Sequence, residues 1–178
     1  MDKHEIILKL KDSHRLFIDY LTSLDDRAFM YSFQDEKWTA GQQADHIYRS
    51  LMPVHLILKF PKWTIKQLLG TANRPSKSYD ELVAKYYNKL ENRTGTPPKF
   101  FTPKEITVAI KPIIFAKVQN NLNKICNSLE GFTEEELDEL ILPQPLLGKV
   151  TLREMMYFTI FHVQHHQKIT ERNLLNFI

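Results

Sequence analysis

A single cysteine, Cys126, stands in 178 residues, so no disulfide can close within the chain. This fits a reducing compartment. No run of about 18 apolar residues occurs, which excludes a membrane-spanning helix. The opening Met1-Asp2-Lys3-His4-Glu5 is charged, and no signal-peptide core follows it. A cytoplasmic protein with no membrane partner is therefore expected. Charge of one sign is equally scarce. Lys and Arg number 24 against 21 Asp and Glu, a net of +3, and the two signs are interleaved, so no nucleic-acid footprint stands out. With only five glycines there is no low-complexity tract, and no internal repeat is present. Alternation of the kind that marks a strand is missing, although Ile106-Thr107-Val108-Ala109-Ile110 could be locally extended.

Helical periodicity fills the space these absences leave. Ile7, Leu10, His14, Phe17, Leu21 and Leu24 recur in steps of three and four and predict a first helix from about Lys3 to Leu24. Thr39 with Gln42 forms a capping box for a second helix, whose stripe is Ala44, Ile47, Leu51, Val54 and Leu58. Pro53 falls inside that pattern and should kink it, and Phe60-Pro61 should end it. The stretch from Pro61 to Pro103 is less regular. Ser78 and Glu81 cap a short helix there, with Leu82, Tyr86 and Leu90 on one face, and Thr94-Gly95-Thr96-Pro97-Pro98 reads as a turn. A further long helix begins near Pro112, carries Ile114, Val118, Leu122, Ile125 and Leu129, and stops at Gly131. Thr133 and Glu136 cap a short helix, and 142–148 reads as a loop. Thr151 and Glu154, with Val150 and Met155 as a hydrophobic staple, start the last helix. Four long helices with an elaborated crossover between the second and third predict an all-α four-helix bundle, one domain over 1–178. About 70% of the unfolded surface should be buried at this length, so no staple is needed.

Histidine placement carries the functional signal. The last stripe runs Leu152, Met155, Thr159, His162, His166, Ile169. An i, i+4 pair sets two imidazoles on one helix face, one turn apart. Buried and unpartnered, each would cost about 1–3 kcal/mol, and a shared metal satisfies both. A third histidine from another helix completes three nitrogen ligands and leaves a coordination position open for water or substrate. His46 is the candidate, one step off the stripe that contains Ile47 and so at the boundary of its helix face. His165 competes with His166, since His162 and His165 form an i, i+3 pair. Periodicity favours His166 and leaves His165 a supporting or substrate-facing group.

Two motifs resemble those of the DinB/YfiT-like superfamily: Trp38-Thr39-x-x-Gln42 leading into His46, and Pro145-x-x-Gly148-x-x-Thr151-x-x-Glu154 followed by His162-x-x-x-His166-x-x-x-Thr170. The resemblance covers nearly the whole chain. It implies an up-down-down-up bundle, a homodimer, and a divalent metal, zinc or nickel, on His46, His162 and His166. It also implies a metal-dependent hydrolase, or a thiol-dependent transferase that uses a low-molecular-weight thiol as cosubstrate on a small-molecule substrate. No Glu or Asp is spaced as a general base, which weakens the hydrolase version. The alternative is a non-catalytic bundle with a structural or vestigial site for a metal or small molecule.

Other residues have plainer expectations. Gln42 and Gln167 could donate hydrogen bonds around the metal, though capping and solvent exposure are simpler roles. His14 reads first as a core histidine and second as a pocket-lining acid or base. Trp38 reads as a packed hydrophobe before an aromatic wall. Asp45 projects about 100° from His46 and is a poor ligand through the same face. Cys126 should be an inert buried thiol, and His4 and His55 have no assigned role.

Overall fold

The computed structural model describes residues 1–34, 37–93, 98–175 and 177. Eight helices dominate it: α1 (Lys3–Ser23), α2 (Asp26–Met30), α3 (Ala40–Ile57), α4 (Lys62–Leu69), α5 (Tyr79–Glu91), α6 (Lys111–Glu130), α7 (Glu134–Glu139) and α8 (Leu152–Leu174). The four long ones are α1, α3, α6 and α8. α1 packs on α6 and α8, and α3 packs on the same two, so four apolar faces close around one core. Ile7, Leu10, Phe17 and Leu21 of α1 meet Val118, Leu122, Ile125 and Leu129 of α6 among the buried residues.

Local chemistry sets the helix starts. Thr39, Ser78, Thr133 and Thr151 each accept from the backbone N–H three residues on, and the side chain at that position bonds back to the cap. Each box satisfies two of the N–H groups that a helix start leaves unpaired. Pro112 sits in the first turn of α6, where its missing N–H costs nothing. α3 runs through Pro53 to Ile57.

Three expectations are corrected. Residues 142–148 are not merely a loop: β1 (Ile141–Gln144) and β2 (Gly148–Thr151) form an antiparallel hairpin, with Leu142 opposite Val150. Four-residue strands, one carrying Pro143 opposite Lys149, are too short to show alternation. The turn is fixed by Gln144, whose Oε1 accepts from the N–H groups of Leu146 and Leu147, and by Gly148 at φ 79°, a conformation costly for any residue with a Cβ. Ile106–Ile110 is not extended as a unit, because Val108–Ile110 is a 3-10 turn leading into α6. α2 and α4 were not anticipated. Five and eight residues cannot repeat a stripe, and α4 buries only Ile65. The predicted turn at 94–98 falls mostly on 94–97, outside the described residues.

The crossover between α3 and α6 is anchored at both ends. Arg74 pairs with the fully buried Glu154 at 2.6 and 2.8 Å, and Glu154 also accepts from Lys77 N–H and Thr151 N–H. Burial alone would raise the Glu154 carboxyl; Arg74 and the two N–H donors hold it below its ordinary value. At the other end, Asp45 Oδ2 accepts from Arg49 at 2.6 Å and from Lys104 N–H at 2.8 Å, while Arg49 donates to Phe100 O. Gly41 lets this return segment lie close, since a Cβ there would stand 2.9 Å from Ile106 Cβ and from Phe29 Cε1.

A candidate metal centre

α8 delivers His162 and His166 from successive turns, and α3 delivers His46 from across the bundle. One nitrogen from each lies within 4.8 Å of the others. His162 Nε2 stands 3.3 Å from His46 Nε2 and 3.0 Å from His166 Nε2. All three rings are buried. Burial outside α3 explains why His46 is interior although periodicity put it at a boundary. Residues 98–106 lie over that side of the helix, where Phe101 O meets His46 and Lys104 N–H meets Asp45, so both of these residues are buried.

Hydrogen bonds at the far ring nitrogens aim the cluster. His46 Nδ1–H donates to Phe101 O at 2.7 Å, and His166 Nδ1–H donates to Gln43 Oε1 at 2.5 Å. With Nδ1 carrying the proton, both Nε2 atoms present lone pairs to the centre. His162 Nε2 can place at most one proton among them. A cation resolves this convergence, and a proton cannot. The two separations from His162 fit: nitrogens bound at about 2.0–2.1 Å with tetrahedral angles lie about 3.3 Å apart. Burial pushes the His162 and His166 rings well below their ordinary value, and each is lowered further by its neighbouring histidines. Burial also lowers His46, opposed by its bond to Phe101. The three are neutral at physiological pH, which is the form that binds metal.

Aromatic rings wall the cluster. Trp38 stacks on His166, centroids 6.3 Å apart and planes 13° apart, and lies 4.9 Å from His46. Phe158 stacks on His162 at 4.6 Å. Trp38 is thus the aromatic wall, the second of the two roles weighed for it. The cluster opens onto a cavity of about 330 Å³ bounded by α3, α5, α8 and the hairpin turn. Among the described residues, no Asp or Glu lines it.

The remaining candidates are dispersed. His165 lines the cavity, stacked on Phe161 and edge-on to Tyr86 and Tyr87, and is not within the three-nitrogen cluster. Gln42 spends its amide on the Thr39 cap, and Gln167 donates to Glu171, so neither supports the imidazoles. The glutamine that does is Gln43, which sequence reasoning passed over; its only signal was its position three residues before His46. His14 is fully buried, donates from Nδ1 to Leu10 O, and leaves Nε2 without a partner among the described residues. It borders a void of about 10 Å³ shared with His162, separate from the larger cavity. Asp45 is absent from the three-nitrogen cluster and is the clasp on 98–106. His55 is buried, with Nδ1 unpartnered among the described residues. Burial raises the Cys126 thiol to about 11, so it stays protonated.

Comparison with curated proteins and with solved structures found no match. A sequence model of the DinB superfamily matches residues 9–169, a span that holds His46, His162 and His166 and both capping-box motifs beside them. By that match over most of its length, the chain belongs to the DinB superfamily.

Proposed function

We propose that the protein is a metal-dependent enzyme in which His46, His162 and His166 hold one divalent ion, zinc or nickel, and that it transfers a group between a low-molecular-weight thiol and a small-molecule substrate. The observation that carries this reading is the convergence of three neutral imidazoles at the wall of a cavity large enough for a small molecule. A divalent ion there lowers the pKa of a thiol or water and so supplies a nucleophile near neutral pH. Phe101 O and Gln43 Oε1 fix the ring orientations. Trp38 and Phe158 keep bulk water from the imidazoles. That no carboxylate lines the cavity among the described residues favours thiol transfer over hydrolysis, since activating water gains from a general base and a thiol needs none once ionised. The same reading takes the four long helices as an up-down-down-up bundle, a single domain that pairs as a homodimer in the cytoplasm. No helix among the described residues is long and apolar enough to cross a membrane.

The test is metal analysis of the purified protein, repeated on the His162→Ala/His166→Ala variant, followed by transfer assays across low-molecular-weight thiols. One metal per chain, lost in the double variant, with thiol-dependent turnover, is the expected result. Stoichiometric metal in the double variant ends the proposal. Metal bound with no thiol-dependent turnover would leave the non-catalytic bundle with a structural or vestigial site.

A further inference from the structure

Among the described residues the cavity has one charged group on its wall, Arg93, just beyond the end of α5. Tyr86, Leu90 and Arg93 are four and three residues apart, so one helix face continues into the cavity lining. Arg93 makes no ion pair and no side-chain hydrogen bond among the described residues. The hydroxyl of Tyr86 likewise makes none, while its ring is fixed by Phe158 at 5.6 Å and Phe161 at 5.3 Å. Burial raises that phenol to about 12, with the Arg93 charge opposing the rise, so Tyr86 remains an O–H donor. Of the other polar groups of the wall, Ser50 donates to His46 O and Gln144 Oε1 accepts from Leu146 and Leu147, while His165 and Trp38 are uncharged rings held in aromatic contacts. A guanidinium fork and a phenol on one face, above apolar walls, lack only an acceptor.

We propose that the cavity receives an organic carboxylate, its acid group held by the Arg93 guanidinium and the Tyr86 hydroxyl, and its apolar body lying along Leu90, Phe158 and Met155 toward the imidazole cluster. The planar fork of arginine matches a carboxylate in a two-point contact. At the α5 end of the cavity, away from the imidazole cluster, Arg93 is the one charged lining group among the described residues, and its single charge balances a monoanion. The proposal deepens the enzyme reading, on which it rests for the reacting end of the molecule, and names the substrate class.

Binding of 4-phenylbutyrate and of its uncharged analogue 4-phenylbutyramide, followed by NMR titration of zinc-loaded and metal-free protein, tests it. The acid should bind about 10-fold or more tightly than the amide in both forms, the worth of a charge-assisted hydrogen bond. Arg93→Gln should erase that preference without altering metal stoichiometry, Arg93→Lys should keep part of it, and Tyr86→Phe should reduce it a few-fold. An acid preference unchanged in Arg93→Gln overturns the proposal. So does one that disappears on metal removal, because the carboxylate would then sit on the ion, and so does failure of both probes to bind. The metal-centred reading fails separately: stoichiometric metal in the His162→Ala/His166→Ala protein sinks that reading, while a carboxylate preference in metal-free protein still stands on Arg93.

Discussion

Gln43 does more for the cluster than its place in the sequence suggests. Its Oε1 is the acceptor that fixes the proton of His166 on Nδ1, so the Nε2 lone pair faces His162. Gln43→Leu keeps the volume and the helix but removes the acceptor. His166 can then adopt the other tautomer or rotate. Metal affinity should fall by about 10–100-fold, with binding still reaching one ion per chain at saturation. Competition with a chromophoric chelator measures it, and an unchanged affinity would mean that packing alone orients the ring. The i, i+4 pair on α8 was legible because an imidazole on an apolar stripe is an anomaly that spacing makes specific. Gln43 was not, since two adjacent glutamines in a polar helix start look alike until the fold decides which one turns inward.

At the scale of the element, the long helices and the short pieces divide on physical grounds. α1, α6 and α8 repeat an apolar stripe over four or more turns, and their starts are marked by a side-chain cap in α1 and α8 and by Pro112 in α6, so their places could be read directly. The hairpin, α2 and α4 are held by tertiary contacts instead. His46, too, is made interior by the return segment 98–106 and not by its own helix. Gly41 is where that segment comes nearest, with no room for a Cβ beside Ile106. Gly41→Ala should therefore destabilise the protein by about 1–3 kcal/mol, because Ile106 must move. It should also weaken metal binding, since Phe101, the acceptor for His46, rides on the same segment. Urea denaturation and the chelator competition report the two effects, and loss of stability alone would show that the segment's two contacts are independent. Glu154 is the matching anchor at the other end. Glu154→Ala removes a cap and leaves Arg74 unpaired, at a cost of about 2–3 kcal/mol, moderated because Arg74 is partly exposed. Glu154→Gln, which keeps the cap acceptor, should lose less.

For the whole molecule, the decisive feature is how many imidazoles the core holds uncharged. His14, His46, His162 and His166 are all buried, and burial lowers each below its ordinary value. For His14 the folded value is about 4, against 6.5 in the open chain. Between those limits the unfolded chain binds a proton that the folded protein refuses. Stability is therefore full above pH 6.5 and drains away as pH falls toward 4, by about 3 kcal/mol for His14 alone. The three cluster histidines add to the same slope in the metal-free protein. The urea midpoint should drop steeply from pH 7 to 5, and His14→Phe should flatten that drop by close to one proton while leaving the midpoint at pH 7 less affected. Zinc acts in the opposite direction at neutral pH. An ion present at 1,000 times its Kd stabilises the folded form by about 4 kcal/mol, and it loses that hold in acid as protons compete for the same nitrogens. At pH 7 zinc should thus raise the midpoint of the wild type but not of His162→Ala/His166→Ala, and at pH 5 the gain in the wild type should shrink. A zinc effect of equal size in the double variant would place the stabilising ion elsewhere on the surface, and a midpoint independent of pH would mean that the core histidines already have partners for their charge.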